Sequence, residues 1–375
     1  MRAKPDYFLL GIIVALVILG VLILASVSAS FSQEKTGSPY SILLHQLIYG
    51  LIPGLILGFI AFRMPLSFFK KWAFLLILIN IFLLALVFAP KIGMTLGGAS
   101  RWLNLGIISF QPSELLKIIF ILYLAAWLSR RNSSSASAVS KKTEYGRNFN
   151  EKSFLPFLIV IGIVSLILIL QPDISTLGII VLTALAMYFI AYTPIWQTFF
   201  IVLAGIGGLI ALVKFEPYRF NRLLVFLKPG TDPMGIGYQM KQVLITVGSG
   251  GIWGVGLGMS HQKFGFLPQS IGDSIFAIFA EETGFIGALI LIFLFLIFAW
   301  RGFIVAKNAK DKFSQLLVSG ITAWITLQAL INIGSMTGLL PLTGIPLPFI
   351  SYGGTALAVE LAAMGILLNI SRKNI

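Results

Sequence analysis

Long, unbroken apolar runs constrain this chain more than any other feature. They lie near 7–30, 41–62, 73–90, 111–129, 153–170, 174–191, 195–213, 274–300, 314–335 and 351–370. Each approaches the roughly 20 residues that an α-helix needs to cross a hydrocarbon core. The runs are continuous rather than alternating, so they read as helices and not as barrel strands. The expectation is an all-α polytopic membrane protein of about ten transmembrane helices, one domain over residues 1–375. Composition agrees, with 58% hydrophobic and only 11% charged residues. A soluble domain carries about 25% charged residues. Too few polar groups exist to coat a water-soluble globule, which excludes a soluble enzyme, a disordered tail and a nucleic-acid-binding domain. Arg2 and Lys4 precede the first run, and Ser28-Ala29-Ser30 resembles a cleavage site. That run outlasts the apolar core of a signal peptide, so an uncleaved first span is expected.

Charge sets the orientation. The chain has 27 Lys and Arg against 13 Asp and Glu, a net +14. With the N-terminus inside, the inner segments hold 17 of these cations and the outer segments 9, with Lys117 inside a span. Basic residues collect in cytoplasmic loops, so both termini are expected in the cytoplasm. Six of the nine outer cations fall in one long segment, 214–273. This is the expected large extracellular loop. It mixes aromatics, glycines and spaced charges, and long ordered loops are usually functional. The other long loop, 129–152, is Ser-rich and basic and reads as a cytoplasmic linker.

Few residues are available for chemistry. There is no Cys, and the two His are far apart, so thiol chemistry and a His-rich zinc site fall away. Ionisable groups at membrane depth are expensive and therefore candidates for function. Glu114 and Lys117 are three residues apart at the start of the fourth span, where they share a helix face and form either a structural pair or a substrate contact. Arg101 and Trp102 just before them read as an interfacial anchor or as an anion contact. Asp173 in Gln171-Pro172-Asp173 reads as a turn former. Asp273 opens the eighth span as an N-cap or as a general base. Of Glu281 and Glu282, two turns deeper, only one can face the same side as Asp273. Residues 341–354, PLTGIPLPFISYGG, cannot form a continuous helix and read as a re-entrant segment lining a cavity, with Ser351 and Glu281 as lining candidates.

Four stretches together are specific: GGASRWLNLG…FQPSELLK, GSGGIWGVGLGMSHQKFGFLP, DSIFAIFAEETGFIG and LPLTGIPLPFISYGG. In order and over nearly the whole chain they resemble the SEDS family (shape, elongation, division and sporulation), whose members include FtsW and RodA. The GLGMSHQKFGFLP stretch looks more like FtsW. The resemblance implies a bacterial plasma-membrane peptidoglycan glycosyltransferase that polymerises lipid II at the outer face. It implies partnership with a class B penicillin-binding protein and with other division or elongation proteins. The family's essential Asp falls on Asp273, and its Arg-Trp and Glu-Leu-x-Lys positions fall on Arg101, Trp102, Glu114 and Lys117. The family's usual Leu-Pro-Glu and Thr-Asp-Phe are Leu-Pro-Gln and Gly-Asp-Ser here; the Asp is kept and its neighbours differ.

On that implication, Asp273 takes the proton of an acceptor sugar hydroxyl in a single, inverting displacement. Arg101, Lys117, Lys241, Lys263 or a divalent cation such as Mg or Mn would meet the charge on the departing pyrophosphate. No protein-held metal cluster is expected. Two rival readings remain open: a lipid II flippase, which needs a polar path to both faces, and an inactive division scaffold, for which Asp273 is dispensable.

Overall fold

The computed structural model describes residues 4–372, apart from 91, 97–98, 105, 107–108, 137–153, 192–194, 216, 229–231, 233–234 and 264–266. Most of the expected linker 129–152 therefore lies outside the described residues.

Helices account for most of the rest. Helix α1 (Tyr7–Thr36) starts at Asp6, whose carboxylate accepts the Leu9 N–H, and ends at Gly37 in the left-handed region. The second apolar run folds as α2 (Ser41–Gln46), a π-helical turn (Leu47–Leu51) and α3 (Ile52–Arg63). Next come α4 (Leu66–Leu86), α5 (Pro112–Ala136), α6 (Phe154–Leu170), α7 (Ile174–Ile190) and α8 (Ile195–Phe215). The last five helices are α9 (Pro217–Leu227), α10 (Ile236–Ser249), α11 (Ile275–Lys307), α12 (Lys312–Met336) and α13 (Gly354–Ser371). A helix occupies each of the expected apolar runs. Among the described residues, seven helical segments are long and apolar enough to cross a membrane, and Phe157–Leu170 and Ile174–Ile190 are shorter apolar helices.

One feature was not foreseen. The segment before α5 forms a small antiparallel sheet of β1 (Gly93–Leu96), β2 (Ala99–Asn104) and β3 (Ser109–Phe110), in that order. Its turns are too short and too polar to register as strands against the flanking apolar runs.

The core centres on α5, α12 and α13, which are buried over most of their length. A helix apolar all round is one surrounded by others. Peripheral helices keep large apolar side chains exposed, such as Leu55, Ile56 and Phe59 on α3 and Phe74 and Phe82 on α4. That is the surface a bilayer covers.

The eighth run is not one continuous rod. Gly284 sits at φ 69°, ψ −168° inside α11 and breaks it. The freed backbone groups find partners in the preceding loop. Phe285 and Ile286 N–H donate to the carbonyls of Gly251 (2.9 Å) and Ile252 (3.3 Å), and Val255 and Gly256 N–H donate to Glu281 and Glu282 (both 3.0 Å). Only glycine fits, because a Cβ on Gly284 would lie 2.3 Å from the Gly254 nitrogen.

Candidate functional site

Asp273 lies in the loop directly ahead of α11. It is not that helix's N-cap, as its type and place suggested; Ser274 takes that position, and no side chain caps the helix. A tight turn presents Asp273 instead. Gln269, at φ 55°, accepts from Gly272 N–H at 2.9 Å and from Ser274 N–H at 3.3 Å. The main-chain carbonyl of Asp273 accepts from the Asn332 amide at 2.8 Å, and the same amide nitrogen donates to Ile345 O at 2.7 Å. One side chain on α12 thus ties the aspartate's backbone to the segment after α12.

Two groups meet the Asp273 carboxylate on its open side. A Cβ placed on Gly344 would stand 3.6 Å from Asp273 Oδ2 and 3.9 Å from Arg222 Nη1. Gly344 is at φ +69°, and its bare backbone forms the floor between acid and cation. Arg222 comes from α9 and is fixed by donating to Leu342 O at 3.0 Å. Burial raises the Asp273 carboxyl to about 6, against the opposing pull of its own and Ser274's N–H groups and of Arg222. The residue as a whole is half-buried.

The re-entrant segment 341–353 is helix-free, as its prolines and glycines predict, and is pinned along its length. Gln328, one turn before Asn332 on α12, donates to Pro346 O at 3.0 Å. Ser351 donates to Gly272 O at 2.7 Å and accepts from Leu347 N–H at 2.8 Å. Tyr352 N–H donates to Ile271 O at 2.9 Å, and Glu360 on α13 accepts from Phe349 N–H at 2.8 Å. Ser351 was expected to line a cavity. It is buried and clasps two stretches of backbone beside Asp273 instead.

Glu114 and Lys117 pair at 2.7 Å, both deeply buried on α5. Lys117 also donates to Gln328 Oε1 at 3.1 Å and stands 5.4 Å from the centre of the Trp324 ring, whose N–H reaches the same Gln328 oxygen at 2.8 Å. Gln328 therefore links this pair to the floor of the Asp273 site. Arg101 does not point at a free anion pocket: it donates to the carbonyls of Gln171 (3.2 Å) and Pro172. Trp102 pairs with Met94 in the small sheet. Asp173 accepts from Ser113 at 2.9 Å and caps α7.

Lys241 is exposed on α10. Lys263 is buried and engaged elsewhere, pairing with Glu282 at 3.3 Å and donating to Gly258 O. Ser26 on α1 donates to both Glu282 oxygens, and Ser260 donates to Glu281. The two adjacent acids thus serve the loop 256–263 and α1. Glu281, expected beside the Asp273 cavity, is turned to that loop.

The sequence reading missed Arg222, Asn332, Gln328 and Gly344. Arg222 was one of six cations in a long loop with nothing to single it out. Gln328 and Asn332 carried a usable signal: two amides four residues apart in an apolar span share a face and need partners. As for a divalent cation, the described residues hold no cluster of three metal-ligating side chains. A cation held by the Asp273 carboxylate would need water and substrate phosphate oxygens for its other ligands.

Fold and site together define an all-α polytopic membrane protein with a carboxylate–guanidinium site at one end of its bundle. A family model described as cell cycle protein, covering FtsW, RodA and SpoVE, matches residues 7–375. The chain belongs to that family, the SEDS proteins. It is 38% identical over 371 residues to stage V sporulation protein E of Bacillus subtilis, covering 99% of this chain and 98% of the relative. It is 40% identical over 360 residues to a probable peptidoglycan glycosyltransferase FtsW of Coxiella burnetii, covering 95% and 93%. Among solved structures, a chain described under structural coordination of polymerization and crosslinking by a peptidoglycan synthase complex superposes at TM-score 0.76. That match has 26% identity and covers 99% of this chain and 98% of the other. The rod shape determining protein RodA of Thermus thermophilus gives 0.70 at 26% identity, covering 99% and 97%.

Proposed function

We propose that the chain is a peptidoglycan glycosyltransferase that polymerises lipid II at the outer face of the bacterial plasma membrane. Both termini lie in the cytoplasm on this reading, as the 17 to 9 partition of cations supports. The names of its relatives support the reaction class. The observation that carries it is the Asp273 carboxylate facing Arg222 across the backbone of Gly344.

The step is one displacement. Asp273 accepts the proton of the acceptor sugar hydroxyl as its oxygen attacks the donor's anomeric carbon. The bond from that carbon to the polyprenyl pyrophosphate breaks, and the configuration inverts. Charge gathers on the departing pyrophosphate, and a guanidinium suits phosphate geometry. Arg222 is the cation beside the base and takes this role; Arg101 is engaged at Gln171 and Pro172, Lys117 at Glu114 and Gln328, and Lys263 at Glu282. A carboxyl near 6 is ionised at neutral pH yet basic enough to take a proton. A class B penicillin-binding protein is the proposed partner; the synthase complex among the structural neighbours supports that pairing.

The flippase reading draws on the charges of α5. Glu114 and Lys117 are held by each other, Gln328 and Trp324, which supports a structural part for them. The test is polymerisation of purified lipid II by the purified protein with its cognate penicillin-binding protein, beside Asp273→Asn. The expected result is glycan from the native chain and none from the variant. Equal glycan from both overturns the assignment of the base. No glycan from either, with labelled lipid II crossing vesicles, overturns the enzyme reading.

A further inference from the structure

The Gly-rich segment 250–259 belongs by sequence to the large extracellular loop, yet it carries Ile252, Trp253, Val255, Leu257 and Met259, all exposed. Trp253 is 80% and Leu257 75% exposed. We propose that this segment is embedded in the hydrocarbon of the membrane leaflet at the Asp273 end, where its side chains contact lipid acyl chains.

The geometry of α11 carries the argument. From Ile275 to Glu282 that helix is walled in by protein. Its exposed apolar band starts at Phe285 and runs through Ile290, Phe293, Leu296 and Trp300 to Phe303, just past Arg301. From Phe285 to Phe303 the helix rises about 27 Å at ~1.5 Å per residue. A hydrocarbon core is about 30 Å thick. The band alone is short by about 3 Å, two residues of rise. The segment 251–256 lies along that missing level, hydrogen-bonded to Glu281, Glu282, Phe285 and Ile286. Through the bonds from Gly251 and Ile252 it meets α11 at Phe285 and Ile286, where the exposed band begins. Trp253 then stands near the Phe285 end of the band and Trp300 within one turn of the other end, in keeping with the interfacial preference of tryptophan.

The groups behind the segment fit the same placement. Lys263, Glu281 and Glu282 are buried directly beneath it, each with a polar partner. Charges at membrane depth are kept off lipid and paired. Part of the backbone requirement is met as well: the four hydrogen bonds to α11 satisfy Gly251, Ile252, Val255 and Gly256 groups that lipid cannot.

The chain has no Cys, so single-cysteine variants need no prior substitution. Trp253→Cys and Leu257→Cys, with Ser38→Cys as an exposed loop control at the same end, would be reconstituted as full-length protein in phosphatidylcholine–phosphatidylglycerol vesicles. A membrane-impermeant maleimide would be supplied on both sides by freeze–thaw. The expected result is labelling at positions 253 and 257 at least about tenfold slower than at 38. Nitroxides at 253 and 257 should also collide more with oxygen than with a water-soluble nickel chelate. Labelling as fast as at 38, with nickel-dominated collisions, overturns the proposal and leaves a water-exposed surface open to a protein partner. Neither readout depends on the chain's enzymatic activity.

Discussion

Arg222 and Asp273 converge on one point, the place a side chain on Gly344 would occupy, from 3.9 and 3.6 Å. The acid arrives from the loop before α11, the cation from α9 and the floor from the re-entrant segment. Three pieces of chain far apart in sequence thus make the site, and each can be tested separately.

The ionisation of Asp273 should appear in the rate. With its carboxyl at about 6, polymerisation should rise with pH through about 6 and level off above it. Arg222 pulls that value down, so Arg222→Gln should move the midpoint upward. The variant should also lose roughly 10²-fold in kcat/KM, as expected when charge on a leaving group goes unmet. A pH–rate profile of lipid II polymerisation checks both, and Arg222→Lys should restore part of the rate.

Stability should run the other way. The folded carboxyl titrates near 6, above the ordinary value of about 3.9, so the folded state holds its proton more tightly than the unfolded chain. Stability is therefore lost as pH rises from about 4 through 6. Asp273→Asn, which cannot ionise, should melt higher than the native protein at pH 7.5 while making no glycan. Thermal melting in detergent measures this.

At position 344 a methyl group should act locally. Gly344→Ala keeps φ +69° at a cost of about 1–2 kcal/mol and fills the space between acid and cation. Its rate should fall far more than its melting temperature. Equal losses of both would mean the position is structural only.

Lys117→Met should destabilise the chain by about 3–5 kcal/mol, because it strands Glu114 as a buried charge. Adding Glu114→Gln should recover much of that loss. Melting curves of the single and double variants decide it. A raised KM for lipid II with unchanged melting would instead mark Lys117 as a substrate contact.

Much of the architecture was legible because a bilayer leaves few choices. Apolar runs of helical length must become helices, and each expected run did. PLTGIPLPFISYGG was readable as irregular because proline and glycine break a helix wherever it lies. The break in α11 was not readable, since Gly284 inside DSIFAIFAEETGFIG looks like any tolerated helical glycine. What forces it is a loop thirty residues earlier. The same limit applied to the site. Asp273 stood out as an acid at the mouth of a span, and the family resemblance pointed to it. Its neighbours were set by tertiary contact: Arg222 by a carbonyl at Leu342, Asn332 by carbonyls at Asp273 and Ile345. Lys263 and Arg101 were plausible phosphate cations by charge alone. Their donors turned out to be satisfied by Glu282 and by two carbonyls of the turn before α7.

A break in a helix is ordinarily a hinge. The one at Gly284 is splinted by four main-chain hydrogen bonds, so its bend is a fixed angle and not a joint. The upper part of α11 cannot swing on the lower, and Asp273 is carried at a set height by a rigid bracket. Whatever motion admits substrate must arise in elements without such a splint.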